Sequence, residues 1–548
     1  MTSSETHPGV YDLIGLGFGP ANLSVAGALL EQPRETCPIS VNKSLFIERH
    51  HEFKWHPGML LPGTRMQISF LKDLATLRSP QSPITFIAYL HSQNRLVDFI
   101  NRGCVSPTRK EYSDYLSYVA RYVQGQGINV AYGENVIAIE EGGEGTVQIH
   151  SRVLATGETR IRRAKNLIIS PGGSPWVPRC IQNISPHPRI IHSSAYLSSV
   201  EPMLATMLAT PRPLKIAVVG AGQSAVEVLL DLHSRLTSMG KSAGQVHNLH
   251  LIIRGGSLNS SNTGPFANQV YNPEHVDVMY GLPSDSRRKV MAEYEATNYG
   301  VVNPLTLDSL YEVMYDQKVD GDIAKRRGNA LPMTSAHITI VTYSNLSSAE
   351  ISTHPLQASA EMNTDTLSVL LQNTLTQDVS EMTYDAIVCA TGYERNSWLN
   401  LLRSSSLGKH FGLRASSDKT RISVERDFGA ATNEKNGDFV VTTNGKNGTF
   451  KAAANGINGH SQTPVTGTNA ERIHIPYASM DTKVSDTLYV SRRYRLLPLP
   501  TASDKFIPKI YLQGCAEETH GLTETLLSVM GIRAGEVVED LCSNHQRI

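Results

Sequence analysis

Tyr11-Asp-Leu-Ile-Gly-Leu-Gly17-Phe-Gly19-Pro-Ala-Asn22 and Lys215-Ile-Ala-Val-Val-Gly220-Ala-Gly222-Gln223-Ser224-Ala225 are two copies of one pattern. In each, a short apolar run of strand character meets a glycine-rich turn, and an apolar stretch with helical spacing follows. That context separates a dinucleotide-binding turn from a chance glycine cluster. The first glycine makes the tight turn. The second lets the backbone approach a pyrophosphate seated on the helix N-terminus. Two such turns imply two nucleotides, and a flavin beside a nicotinamide is the commonest reason to need both. The expected fold class is therefore α/β, with two Rossmann-like dinucleotide-binding domains.

Outward from the first turn, a strand at 11–16, a helix at 20–30 and a strand at 44–47 make one βαβ unit. Glu48 ends the second strand, where an acidic side chain typically holds a ribose hydroxyl. Residues 50–108 lack strand alternation and are rich in proline, leucine and aromatics, which predicts loops and helices covering a site. A helix at 109–123, a small β segment at 136–153 and a buried strand at 166–170 complete a first domain, 1–209. The second domain, 210–395, opens after the proline-rich stretch 210–213. Its second strand is expected at 250–254, so Arg254 stands where an NAD site carries Asp or Glu. A cation there favours the 2′-phosphate of NADP, although a solvated strand-end arginine fits the same position. Tyr384-Asp-Ala-Ile-Val-Cys-Ala-Thr-Gly392-Tyr393 is a further apolar strand ending in a tight turn, a feature of flavoproteins that bind two dinucleotides. Gly, Asn, Ser, Thr and Lys dominate 404–469. So polar a segment cannot offset the entropy of ordering, and a mobile insertion is expected. Residues 470–548 return to the first domain and end in a helix expected at 524–541.

The 548 residues carry 50 Lys and Arg against 50 Asp and Glu. That balance gives no electrostatic case for a nucleic acid or an anionic membrane partner. No apolar run reaches bilayer length and the N-terminus has no signal pattern, so a soluble, cytoplasmic protein is expected. Cys37, Cys104, Cys180, Cys389, Cys515 and Cys542 are scattered with no CxxC pair. No metal site and no redox dithiol are expected from them, and buried free thiols are.

Seven motifs then stand together: Gly-Phe-Gly-Pro-Ala-Asn-Leu-Ser at 17–24, Phe-Lys-Trp-His-Pro-Gly-Met-Leu-Leu-Pro-Gly at 53–63, Met-Gln-Ile-Ser-Phe-Leu-Lys-Asp-Leu-Ala-Thr at 66–76, Gly-Gln-Ser-Ala at 222–225, Pro-Phe-Ala-Asn-Gln at 265–269, Asn-Tyr-Gly-Val-Val at 298–302, and His-Gly-Leu-Thr-Glu-Thr-Leu-Leu-Ser at 520–528. In this the chain resembles the N-hydroxylating flavoprotein monooxygenases, specifically the L-ornithine N5-monooxygenases of siderophore synthesis. The resemblance covers nearly everything outside 404–469. Asn22, in place of a third fingerprint glycine, is a habit of that family. Baeyer–Villiger and ordinary flavin-containing monooxygenases fit less well. Their FxGxxxH stretch corresponds to Pro186–His192, which keeps the histidine but has proline at the Phe and Gly positions.

The resemblance implies FAD contacts at Gly17, Gly19, Asn22, Glu48, Trp55, His56, Met66, Gln67, Thr525, Leu526 and Leu527. It implies NADPH contacts at Arg109, Gly220, Gly222, Gln223, Ser224 and Arg254. Substrate contacts fall on Lys72, Asn268, Asn298 and Ser528, in a smaller, mainly helical region, with Gln67 and Asn298 nearest the reacting atoms. By residue type alone Met66 reads equally well as core filler, Arg109 as a surface arginine and Lys72 as a solvated lysine. Gln67 suits a flavin's reactive edge because an amide both donates and accepts. A free amino-acid carboxylate wants the cation that Lys72 supplies.

The implied chemistry is oxygen transfer: NADPH reduces FAD, O2 adds to give a C4a-hydroperoxide, and the neutral Nδ of L-ornithine attacks the distal oxygen, giving N5-hydroxyornithine and water. The protein positions the reagents and excludes water. Neutralising an alkyl amine at about pH 7 costs roughly 4–5 kcal/mol, and no histidine or carboxylate in the sequence stands out as the base. Three readings compete: an L-lysine N6-hydroxylase or other amine hydroxylase, whose substrate differs by as little as one methylene; an NADPH oxidase or disulfide reductase; and a non-catalytic flavin-binding scaffold. A homo-oligomer is expected, since relatives are often tetramers.

Overall fold

The computed structural model describes residues 9–35, 37–208, 212–238, 246–262, 264–328, 336–354, 364–413, 422–426, 440–443, 446–449, 486–500 and 506–543. Two sheets organise the chain. Tyr11–Leu16 is buried at five of six positions, as a strand covered on both faces must be. It pairs in parallel with Ser44–Glu48 on one side and Thr159–Ile169 on the other. Asn129–Tyr132 extends the sheet beyond Ser44–Glu48, and Lys509–Leu512 joins it beside Thr159–Ile169. The second sheet runs in the order Ala336–Val341, His247–Ile252, Lys215–Val219, Ala386–Cys389, Ile190–His192, with every pairing parallel. A three-stranded antiparallel meander, Ser344–His354, Thr364–Asn373 and Val379–Tyr384, packs against this second unit.

Both predicted glycine turns form. Gly17 sits at φ 83° and Gly220 at φ 138°, in the half of backbone space that a side chain disfavours. A Cβ on Gly17 would lie 2.5 Å from the Ser170 carbonyl oxygen, and one on Gly220 would lie 2.3 Å from that of Ala390. The helices Pro20–Leu30 and Gln223–Ser238 start directly after the turns. Where the chain passes between the two units, Ser174–Pro175 pairs with Tyr393–Glu394.

Several expectations need correction. The second strand of the second unit is His247–Ile252, not 250–254. Arg254 lies two residues past its end, where the chain turns at Gly255 and Gly256. The last helix is Met530–Cys542. Residues ahead of it form short turns instead, because the buried Glu524 carboxylate accepts from the amides of Gly514 and Ala516. Ser404–Leu413, assigned by composition to a mobile insertion, is packed: Leu407, Phe411 and Leu413 enter the first core, and the Ser405 hydroxyl accepts the Leu407 amide to cap Ser406–Phe411. Ile422–Arg426 is an edge strand of the first sheet. Of the remaining insertion, 414–421, 427–439, 444–445 and 450–469 lie outside the described residues. Finally, Cys37 and Cys542 are joined in a disulfide although 505 residues apart. Packing of Pro20–Leu30 against Met530–Cys542 brings them together, which no spacing rule reveals. Cys104, Cys180, Cys389 and Cys515 are free.

No helix among the described residues is long and apolar enough to cross a membrane. None of the His, Cys, Asp or Glu side chains described there forms a metal-holding cluster.

Candidate active site

The first nucleotide turn is laced by its own residues. Asn22 is fully buried, and its Nδ2 donates to the carbonyls of Leu16 and Gly17 at 3.2 and 2.7 Å. An asparagine thus braces from inside the loop what a third glycine would leave to backbone alone. Glu48 accepts the Phe18 amide on one oxygen and the His50 amide on the other, both at 2.9 Å. Each oxygen keeps a lone pair for a ribose hydroxyl. A Cβ on Gly19 would meet nothing within 4 Å, and one on Gly222 only the Gly300 Cα at 3.8 Å. Both glycines therefore face open space at a helix N-terminus, the cradle a pyrophosphate fits.

The segment 50–108 folds as turns and two short helices, Phe86–Ser92 and Leu96–Asn101, over the first sheet. Trp55 stacks its edge on His56, ring centroids 5.3 Å apart, and His56 faces Tyr393 of the crossing strand at 5.9 Å. Crowding by surrounding protein, then the Arg109 and Arg395 guanidinium groups, push the His56 imidazole down to about 4. It is neutral at physiological pH, as suits a wall already lined with cations. Met66 is buried in the first core, and its amide donates to the Pro107 carbonyl. Gln67 is exposed and donates through Nε2 to Gln223 Oε1 at 3.2 Å. The two nucleotide units therefore touch through one glutamine from each.

Lys72 sits on a turn fixed by Asp73. That buried carboxylate accepts the amides of Ala75, Thr76 and Phe86 and the Thr76 hydroxyl. Burial lowers the Lys72 ammonium below the ordinary lysine range, with no compensating charge. Among the described residues its Nζ has neither a carboxylate nor a hydrogen-bond partner. Ser528, unlike the half-buried Lys72, is fully buried, and its Oγ has no partner among them. Ser24, on the fingerprint helix, ties the two places together: its Oγ donates to the Leu74 carbonyl at 2.7 Å and the Met530 carbonyl at 3.3 Å.

Asn268 lies exposed on the turn Ala267–Tyr271, which packs on Leu522–Thr525. Asn298 ends the helix Ser284–Asn298, which packs on the same segment; its side chain lies outside the described residues. Thr525 offers its carbonyl to Arg395 at 3.1 Å, and Leu526 and Leu527 lead from there to Ser528. Arg254 is exposed and, among the described residues, its guanidinium has no partner. Arg109 instead is taken up: its Nη1 donates to the buried Glu227 at 2.7 Å and reaches the Met59 carbonyl at 3.4 Å.

The stretch 522–530 is thus tied to the segments that carry Lys72, Asn268 and Asn298, all distant from it in sequence. A family model for L-lysine 6-monooxygenase/L-ornithine 5-monooxygenase matches residues 9–395. The chain belongs to this monooxygenase family. An L-ornithine N(5)-monooxygenase of Ceriporiopsis subvermispora is 49% identical over 554 residues, covering 99% of this chain and 100% of that one. The ornithine hydroxylase of Pseudomonas aeruginosa is similar in structure at a TM-score of 0.69 and 29% identity, over 97% of this chain and 99% of that one. An ornithine N-hydroxylase of Kutzneria sp. 744, solved with reduced FAD, NADP+ and L-ornithine, matches at a TM-score of 0.67 and 27% identity over the same shares. The overall fold of this chain is thus similar to that of these two ornithine hydroxylases over nearly their whole length.

Two residues of the site escaped sequence reasoning. Glu227 follows Gln223 by one helical turn and reads as an ordinary helix acid. Arg395 comes three residues after Gly392 and reads as a loop cation. Only the fold reveals that the first is buried between the units and the second holds Thr525.

Proposed function

We propose that this monooxygenase hydroxylates the side-chain Nδ of L-ornithine, using FAD, NADPH and O2, and supplies N5-hydroxyornithine for hydroxamate siderophores. The observation that carries the reading is the buried, unpartnered Ser528 hydroxyl on a turn tied through Ser24 to the one that carries Lys72, a half-buried ammonium with no carboxylate beside it among the described residues. A half-buried ammonium is partly desolvated, and a buried hydroxyl without a partner costs stability. A bound amino acid answers both: its α-carboxylate meets Lys72, and its α-amino end meets Ser528, with Asn268 and Asn298 closing from the second unit. FAD would be held by Gly17, Gly19, Asn22, Glu48, Trp55, His56, Met66 and Gln67, together with Thr525, Leu526 and Leu527. When bound, it would supply the activation of O2 and the oxygen atom that the amine nitrogen takes up. NADPH would rest on Gly220, Gly222, Gln223, Ser224 and Arg254, with Arg109 acting from behind through Glu227. The chain's own work is to clamp the diamino acid by its α-end, keep water out, and present a neutral terminal amine.

The deciding experiment measures NADPH-dependent hydroxylamine formation from ornithine and lysine side by side. A kcat/KM at least about tenfold higher for ornithine is expected, the worth of one misplaced methylene. A preference for lysine overturns the substrate assignment. A yellow protein bleached by NADPH but forming no hydroxylamine from either overturns the oxygen-transfer assignment.

Arg254→Ala tests the nicotinamide side. A charged hydrogen bond to the 2′-phosphate is worth about 1.5–3 kcal/mol, so KM for NADPH should rise roughly 10–150-fold. KM for NADH, which lacks that phosphate, should stay within a factor of about two. Equal rises for both coenzymes would remove Arg254 from the phosphate site.

A further inference from the structure

The contact between the two units holds a chain of side chains whose orientations are not free. Asn303 donates its backbone amide to Gln223 Oε1 at 2.7 Å. A backbone N–H can only donate, so the atom facing it is the carbonyl oxygen. Gln223 Nε2 donates to Glu227 Oε1 at 2.7 Å and to the Thr306 hydroxyl at 3.0 Å. Burial raises the Glu227 carboxyl above the ordinary range and Arg109 and Gln223 draw it back; the oxygens facing the Arg109 guanidinium at 2.7 Å and the Gln223 amide serve as acceptors. The Gln223 amide is therefore pinned from both ends, with no flipped alternative. Its oxygen is the atom that Gln67 reaches at 3.2 Å, so Gln67 must turn its NH2 group inward. That leaves the Gln67 carbonyl oxygen, which accepts from no described residue, facing away from Gln223.

We infer that Glu227 is a positioning residue that, through Gln223, fixes the Gln67 side chain so that it presents an acceptor to the flavin. This rests on the reading that places Gln67 beside the flavin's reactive edge. An acceptor there distinguishes the two redox forms of the ring. Reduced FAD carries a hydrogen on N5 that oxidised FAD lacks, so an acceptor stabilises the reduced form and a donor does the reverse. Glu227 also joins the two units through Arg109, which anchors on the Met59 carbonyl beside the Trp55-His56 turn. The second unit thereby dictates the polarity of a group in the first.

The test compares the parent holoenzyme with Glu227→Gln and Gln223→Met. A glutamine at 227 can offer either a donor or an acceptor, and methionine at 223 removes the relay while leaving the Arg109–Glu227 pair intact. Both variants should shift the midpoint potential of bound FAD to a more negative value, measured by dye equilibration. Both should also form less hydroxyornithine per NADPH oxidised, by about two- to tenfold, the worth of one neutral hydrogen bond, the balance appearing as H2O2. A purely structural role would lower thermal midpoint or FAD content without moving the potential. If Glu227→Gln does not retain FAD, Gln223→Met decides alone. A parental potential and parental product yield in a flavin-loaded Gln223→Met overturns the inference. A parent that itself forms no hydroxylamine overturns the functional reading, while the potential shift still reports on the amide relay.

Discussion

Lys72→Ala is expected to raise KM for ornithine about 10–150-fold while the variant still binds FAD and oxidises NADPH. The range follows from losing a charge-assisted hydrogen bond worth about 1.5–3 kcal/mol. The effect falls on binding, because the α-carboxylate is remote from the reacting nitrogen and its contact is the same in ground and transition states. Asp73 keeps the turn in place whatever stands at 72, since its four hydrogen bonds do not involve the lysine side chain. A second consequence separates a binding lysine from an incidental one. Because burial lowers the Lys72 pKa, the folded state disfavours its charged form relative to the unfolded chain. The group therefore works against stability at neutral pH, and that penalty vanishes as pH rises above the ordinary lysine value of about 10.4. Lys72→Met should leave the thermal midpoint unchanged or higher, and ornithine should stabilise the parent more than the variant. Unchanged ornithine affinity in either variant would remove Lys72 from the site, and a large loss of stability would recast it as structural.

Much of this architecture is legible in local sequence, and the limits of that legibility have physical causes. The two glycine turns are written in single stretches because backbone conformation and close approach are decided by neighbouring residues. Gly17, Gly220 and the helices after them accordingly appear where the pattern puts them. Glu48 follows for the same reason, one strand away from its turn. The residues of the 520–529 stretch behave differently. Helical spacing there is real, but Glu524 is drawn into long-range bonds with Gly514, Ala516 and Arg533, and tertiary demand overrides the local period. The disulfide between Cys37 and Cys542 and the Arg109–Glu227 pair are longer-range still, set by how helices and units dock. Composition also misleads at 404–413, where three apolar residues among polar ones are enough to anchor the segment.

Glu524→Ala should be the most damaging single substitution in the first unit. Glu524 and Arg533 side chains are 0% and 1% exposed, so neither charge has water to fall back on. Arg533 Nη1 donates to both the carboxylate and the backbone carbonyl of Glu524, while its Nε donates to Gln513 at 2.8 Å. The other contacts of the carboxylate are amides, those of Gly514 at 2.6 Å and Ala516 at 3.0 Å. Removing it strands a buried guanidinium, the buried Ala516 N–H and the half-buried Gly514 N–H at once. Breaking a buried pair from one side costs about 3–5 kcal/mol, and at about 2–4 °C per kcal/mol for a large domain the thermal midpoint should fall roughly 6–20 °C. The consequence for function follows from position. Glu524 pins the end of the strand Lys509–Leu512 to the turn that carries Thr525, Leu526, Leu527 and Ser528. Loss of that pin should release FAD, read as a falling ratio of flavin to protein absorbance during purification. Removing both charges together, as in Glu524→Leu with Arg533→Met, should restore part of the stability, because no ion is then left unpaired. It should not restore FAD retention, because the Gly514 and Ala516 amides still lack an acceptor and the turn stays unpinned. A double variant that regains flavin as fully as stability would mean that the ion pair serves folding alone.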